Sequence, residues 1–324
     1  MSGIGLSCDQ PTKLLAATAS IPRLAAAASG GHIAVGWTAD DATLGSAKIT
    51  LDGGEVASIE RDAYATPGNW TGVSFAMTGS ATLVALGRQD GHTIVAVNGG
   101  TPADTTVQLL APGAAIATGG SPDFALAGND SAAGKASMIG ISADGTLTAP
   151  VATGGSITAR VIATRIKDGL AAVDVQPSNS CGVIPVDSAV TRSGAAIAFG
   201  ANGRCTQAAA TFVDDATGTL LVHHDDSGAV IAIVMKPDRT LGARMTVASP
   251  ALEPRTAATS AGTWVTYATS GMLEAALIDG TGAAGKKVML GAIGDATSQT
   301  VVTAGDTAYA LWLDGDLEIA RLCP

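Results

Sequence analysis

Apolar residues in this chain come in short runs broken by Gly, Asp and Asn, and one run keeps returning. It reads His32-Ile33-Ala34-Val35-Gly36-Trp37 first, then Thr82-Leu83-Val84-Ala85-Leu86-Gly87, Asp123-Phe124-Ala125-Leu126-Ala127-Gly128 and Gly169-Leu170-Ala171-Ala172-Val173-Asp174. Three further copies are Thr219 to His224, Thr263 to Ala268 and Thr307 to Trp312. A second apolar strand follows each, opening near Ala47, His92, Ala136, Ser180, Ala229, Met272 and Asp316, so successive starts lie about 43 to 49 residues apart. Helical repeats of this length would carry a 3.6-residue periodicity, which these runs lack. Repeats of this length built from four short strands predict β-propeller blades, each with an inner strand A, the recurring strand B, a strand C and an outer strand D. The D strands follow turns such as Asp52-Gly53-Gly54, Ala143-Asp144-Gly145, Pro237-Asp238-Arg239 and Asp279-Gly280-Thr281. The expectation is an all-β fold, a single seven-bladed β-propeller of four-stranded blades forming one domain over residues 1–324.

The last repeat ends early. After Leu317 to Cys323 no strand D remains, whereas Lys13-Leu14-Leu15-Ala16-Ala17-Thr18 resembles the D strand around Lys286-Lys287-Val288. An N-terminal strand completing the last blade would close the ring and remove its open edges.

The cysteines bear on the same closure. Cys8 precedes the N-terminal strand and Cys323 ends the last strand C, so closure brings them to one rim as a disulfide pair. Cys181 opens a strand C, and a hairpin centred on Ser193 would set Cys205 opposite it. No C-x-x-C spacing is present, and two disulfides point to an oxidising compartment.

Composition adds exclusions. Residues are 47% hydrophobic and 14% charged with a mean hydropathy of +0.33, which excludes a disordered chain. A net charge of -10 argues against nucleic acid and anionic membranes as partners. Leu14 to Trp37 is broken by Pro22, Arg23, Gly30, Gly31 and His32, short of the ~18 apolar residues of a membrane span. Met1 to Gly5 lacks a basic segment leading into an apolar one, so the expectation is an exported protein whose signal segment lies outside this sequence, placed extracellularly, in the periplasm or on the outer surface, and monomeric.

Pro22-Arg23-Leu24-Ala25 with His32 to Asp40, and Ala308-Tyr309-Ala310-Leu311-Trp312-Leu313-Asp314, resemble the repeat of exported bacterial β-propellers with Tyr-Leu-Val-Val-Trp-x-Asp blades. Trp37 and Trp312 keep the tryptophan of that repeat, while Gly87, Gly128, Asp174, His224 and Ala268 replace it. The resemblance implies fold and export and carries no catalytic residues.

In such a ring the B-to-C and D-to-A loops share the face on which ligands usually bind. The first set holds Asp40-Asp41, Arg88-Gln89-Asp90, Asn129-Asp130, Gln176 to Asn179, His224-Asp225-Asp226, Thr269-Ser270 and Asp314-Gly315-Asp316. The second holds Asp62 to Trp70, Gly200 to Arg204, Glu253-Pro254-Arg255 and Gly294-Asp295. The ligand-binding candidates are Trp37, Asp40, Asp41, Tyr64, Trp70, Asp90, His224, Asp225, Trp312, Asp314 and Asp316. Trp37 and Trp312, at equivalent strand ends, are expected to meet at the closure and either stack on a ligand or wedge the blades apart. Tyr64 and Trp70, on the longest irregular loop, read either as exposed recognition aromatics or as part of a loop folded onto the blade. Asp40, Asp41, Asp314 and Asp316 fall in neighbouring blades and could hold calcium, the one cofactor this pattern admits. His223 and His224 cannot both enter one metal site, because adjacent strand residues point to opposite faces. No Gly-x-Ser-x-Gly, His-Glu-x-x-His or phosphate-loop motif occurs. The reading therefore favours a non-catalytic propeller that binds a glycan, protein or cell-surface component through its loop face. The alternative is a hydrolase or lyase with carboxylates gathered around the channel.

Overall fold

Each repeat folds into an antiparallel sheet because short apolar strands joined by tight turns pair most cheaply with their immediate neighbours. A computed structural model describes residues 4–17, 23–38, 43–154, 156–176, 180–199 and 205–324. After β1 (Thr12–Ala16), blade 1 contains β2 (Leu24–Ser29), β3 (His32–Thr38), β4 (Leu44–Asp52) and β5 (Glu55–Arg61) in that order. Blade 2 follows with β6 (Trp70–Met77), β7 (Thr82–Arg88), β8 (Thr93–Val97) and β9 (Ala103–Thr105). In blade 3 the inner position is shared by β10 (Val107–Gln108) and β11 (Ala115–Ala117), both paired with β12 (Phe124–Asp130), ahead of β13 (Lys135–Ile141) and β14 (Val151–Ala152). Blade 4 has β15 (Arg160–Ile166), β16 (Gly169–Val175), β17 (Cys181–Val186) and β18 (Ile197–Phe199). Blade 5 has β19 (Gln207–Asp214), β20 (Gly218–His224), β21 (Val230–Met235) and β22 (Leu241–Ala248). Blade 6 has β23 (Leu252–Thr259), β24 (Gly262–Thr269), β25 (Met272–Ile278) and β26 (Ala284–Ala292). Blade 7 has β27 (Gln299–Ala304), β28 (Thr307–Leu313) and β29 (Asp316–Leu322), and its fourth strand is β1.

The closure is the one expected. β1 runs antiparallel to β29, with Thr12 opposite Ile319 and Ala16 opposite Asp316, and Lys13 Nζ lies 2.8 Å from the Asp316 carboxylate. Beyond the strand, Cys8 and Cys323 form a disulfide with their Cα atoms 5.5 Å apart. Lys286 of β26 donates to Asp9 and to the Cys323 carbonyl, both at 2.6 Å, so the neighbouring blade also grips the seam.

The Cys181–Cys205 disulfide forms as well, by a different route from the one expected. The hairpin turns at Asp187 to Val190, Ser193 bridges Val186, and the strand partner of Cys181 is Phe199. Cys205 therefore comes to Cys181 from beyond the end of β18, so the bridge ties the start of the connection to blade 5 onto blade 4.

Period-2 alternation builds the core between blades rather than within them. In β3, Ile33, Val35 and Trp37 face blade 7, while Ala34 faces blade 2. In β28, Ala308, Ala310 and Trp312 face blade 6, and Tyr309, Leu311 and Leu313 face blade 1. Every adjacent pair of blades shares such a buried apolar cluster around the ring. With only 3% aromatic residues, these interfaces are filled chiefly by Ala, Val, Ile and Leu.

This alternation corrects the expectation that Trp37 and Trp312 meet at the closure. Equivalent positions point the same way around the ring, so Trp37 packs between blades 1 and 7 and Trp312 between blades 7 and 6, with blade 7 separating them. Both are buried, at 5% and 0% exposure, and neither offers a ring face to a ligand. Trp37 lies so close over Gly45 that a Cβ there would sit 2.3 Å from the indole.

Candidate functional site

Two places on the described residues combine space with polar groups. The first is a cleft of about 570 Å³ where the D-to-A loop entering blade 2 meets the B-to-C loop of the same blade. Its walls include Pro67, Asn69, Trp70, Arg88, Gln89, Asp90 and Ile94, so two of the residues nominated from sequence, Trp70 and Asp90, share it. Arg88 holds the rim together: its guanidinium lies 2.8 Å from Asp90 and 3.5 Å from Asp104, and His92 Nδ1 is 3.2 Å from Asp104. All four side chains remain substantially solvent-exposed, so they can exchange these partners for a ligand.

Trp70 takes the folded-back alternative. It is the first residue of β6 rather than a loop tip, only 6% exposed, with Nε1 donating to the Thr66 carbonyl at 2.9 Å. Gly68, at φ 150°, lies against the indole, and a Cβ there would come within 2.5 Å of the ring. The indole is thus a fixed wall of the cleft. Tyr64 is half-buried and packs edge-on to Phe75 at 5.3 Å. Both aromatics fold back because the apolar seam between blades 1 and 2 offers more burial than solvent does.

The remaining nominees serve the fold where they are described. Asp225 accepts from the backbone N–H groups of Ser227 and Ala229 and from the Ser227 hydroxyl, closing the B-to-C turn of blade 5. Burial would raise its pKa, but these hydrogen bonds hold it below the usual carboxylate range. His224 Nδ1 is 2.7 Å from Thr206 Oγ1. Asp316 pairs with Lys13, and the backbone N–H of Asp314 donates to the Asp316 carbonyl. Asp40 and Asp41 lie outside the described residues, as do Pro22, Pro177 to Asn179 and Gly200 to Arg204. Among the described residues no cluster of His, Cys, Asp and Glu side chains is grouped to hold a metal ion.

The second place is the central channel. The inner strands converge on the axis, and small side chains let them do so: Ala25, Ala26, Ala115, Ala163, Ala208 and Ala210 line the channel. A polar lattice sits at its loop-face end. Gln207, Glu253 and Gln299 stand 46 residues apart near the starts of three successive inner strands. Gln207 Nε2 donates to Glu253 Oε1 at 2.8 Å, Gln207 Oε1 accepts from the Glu253 N–H, and Gln299 Nε2 donates to the Glu253 carbonyl. Arg160 reaches from blade 4 past blade 5 to grip both Glu253 oxygens at 2.8 and 2.9 Å, and Arg255 adds a third contact at 3.1 Å. Burial of Glu253 (3% exposed) works against its charge, yet the Arg255 and Arg160 guanidiniums hold its carboxyl below the ordinary range. The sequence placed Glu253-Pro254-Arg255 on this face without singling it out. The signal was available in the polar residues recurring at the repeat period where blade 1 has Leu24.

No protein-family model matches the sequence, and no curated relative does either. Solved structures match over nearly the whole chain. The BP39L lectin from Burkholderia pseudomallei superposes with a TM-score of 0.67 at 14% identity, covering 94% of this chain and 96% of that one. Hydrazine synthase of Kuenenia stuttgartiensis gives a TM-score of 0.67 at 10% identity over 95% and 97%. The β-propeller domain of Cps50 (Swd1) from Myceliophteria thermophila gives 0.61 at 14% identity over 96% and 98%. Neighbours with such different names share a shape with this chain, which is a seven-bladed, all-β propeller closed by its N-terminal strand and a terminal disulfide.

Proposed function

We propose that the protein is a non-catalytic binding propeller of an oxidising compartment outside the cytoplasm that recognises a glycan in the blade 2 cleft. The observation carrying this reading is the cleft itself. A fixed indole wall and Ile94 stand beside Arg88, Gln89, Asp90 and Asn69, whose planar polar groups pair bidentately with neighbouring sugar hydroxyls. Two disulfides leaving no free cysteine support the compartment, and no helix among the described residues is long and apolar enough to cross a membrane. A glycan-binding role is also compatible with a fold that a lectin shares. The hydrolase alternative draws no support from the channel: among the described residues its lining holds no Asp or Glu. The nearest carboxylate, Glu253, is kept ionised by two guanidiniums, and no second carboxylate is set to a different pKa beside it.

Glycan arrays with and without calcium test the reading. Binding without turnover is expected, falling at least about tenfold in Asp90→Ala and Arg88→Ala with the unfolding midpoint unchanged, since both side chains are exposed. Product formation, or binding indifferent to both substitutions, would overturn it.

A further inference from the structure

Both seams of blade 4 bury an ionisable group short of hydrogen-bond partners. Toward blade 5, His223 keeps the alternation of Leu221 on β20 and so points at the apolar face formed by Val173, Val175, Cys181, Val183 and Phe199 of blade 4. It is fully buried, with its ring edge-on to Phe199 and neither nitrogen partnered. Toward blade 3, Asp174 keeps the alternation of Leu170 and Ala172 on β16 and points at the cluster of Ala125, Ala127 and Met138. It is buried as well; Oδ2 accepts from Gln176 at 3.2 Å and Oδ1 has no partner.

Acid drives these two groups in opposite senses. The imidazole gains a charge that the seam cannot solvate, because blade 4 presents apolar side chains and the Cys181–Cys205 bridge to it. On its own blade Arg244 and His224 oppose that charge, and Asp225 favours it. Asp174 instead loses a charge that burial disfavours and that no cation among the described residues offsets. Falling pH therefore weakens the seam with blade 5 and strengthens the seam with blade 3.

The seam with blade 5 is also fastened unevenly. Its polar ties run from the inner strand β15: the Thr219 hydroxyl donates to the Arg165 carbonyl at 3.2 Å, Arg165 lies 5.5 Å over the Phe212 ring, and Arg160 reaches past blade 5 to Glu253. His223 and the bridge lie further out, on β20 and between β17 and the end of β18, where the packing is apolar.

From these features we propose that blade 4 is an acid-operated joint: lowering the pH opens its seam with blade 5 from the outer edge, hinged on β15, while blade 4 stays seated on blade 3. Opening uncovers the apolar face of Val173, Val175 and Val183 together with the Cys181–Cys205 bridge. The blade 2 cleft lies elsewhere in the ring, so the joint and the glycan reading stand or fall separately.

The bridge is its own reporter, because Cys181 and Cys205 are buried in the closed seam whereas Cys8 is exposed. Reduction by a water-soluble phosphine, which needs no thiolate, is followed by maleimide capture and peptide mapping. From pH 7.5 to pH 4.5 the rate at Cys181–Cys205, relative to that at Cys8–Cys323, should rise at least tenfold, given a histidine pKa of about 4 in the closed seam against about 6.5 in the open one. His223→Leu should abolish that rise, and Arg244→Gln should move it to higher pH. Tryptophan emission should stay unchanged, since all four tryptophans pack in other seams. Ala127→Cys, in the blade 3 seam, should stay closed to dithiodipyridine at both pH values. No rise in the native protein, a rise that survives in His223→Leu, or a rise accompanied by tryptophan exposure or by labelling of Ala127→Cys would overturn the proposal.

Discussion

His223 is fully buried, with both ring nitrogens lacking hydrogen-bond partners and its ring edge-on to Phe199 at 5.8 Å. Burial, and then the nearby Arg244, push its pKa from 6.5 down to about 4, only partly opposed by Asp225. The folded protein thus binds this proton less readily than the unfolded chain. Its contribution to stability is undiminished above about pH 6.5 and drains away as pH falls toward 4, by about 3 kcal/mol in all. Denaturant unfolding at pH 7.5 and pH 4.5 should show this loss in the native protein and a smaller one in His223→Leu; equal losses in both would reject the assignment. Gly45 makes a second argument at this scale. Because a Cβ there would strike the Trp37 indole, Gly45→Ala should cost about 1 to 3 kcal/mol in unfolding free energy although it adds one methyl group.

Among the elements, the turns explain where much of the acidic charge is used. Asp225, Asp238 and Asp279 each accept from N–H and hydroxyl groups two residues on, and Asp187 does so four residues on. These hydrogen bonds keep the Asp238, Asp279 and Asp187 carboxyls below their ordinary pKa, so the turns weaken in acid as they protonate. Asp225→Ala should destabilise blade 5 by about 1 kcal/mol, while Asp225→Asn, which keeps an acceptor oxygen, should cost clearly less. Asp238 and Asp279 are legible as turn residues from the sequence, whereas Asp225 reads as a ligand-binding candidate, because a turn-closing aspartate and a ligand aspartate occupy the same loops; its N–H partners show the turn-closing role. The inner strand β23 shows the reverse case. Glu253→Gln should destabilise by about 3 kcal/mol, since it leaves two guanidiniums over the channel without their anion.

At the level of the whole molecule, stability depends on where the ring is fastened. The Cys8–Cys323 bridge encloses a separation of 315 residues and the Cys181–Cys205 bridge one of 24. By chain entropy the first stabilises by up to about 5 kcal/mol and the second by about 3. Paired serine substitutions should therefore lower the denaturant midpoint more at the terminal seam than in blade 4, and peptide mapping of the unreduced protein should recover Cys8 linked to Cys323. A larger effect from the inner bridge would mean that β1 pairing and the Lys286–Asp9 contact hold the seam without sulfur.

The repeat, the strand alternation and the missing last strand were all legible in sequence, because each depends on neighbours close along the chain or on a period that repeats. That was enough to fix the seven blades, the borrowed strand β1 and the terminal disulfide. Tertiary structure alone decided which side of a blade each tryptophan faces, that Cys181 opposes Phe199, and that Arg160 crosses a whole blade to reach Glu253. Those outcomes turn on the sideways orientation of equivalent residues around a closed ring and on long side chains meeting over its axis, and neither quantity is written in the spacing of residues along a line.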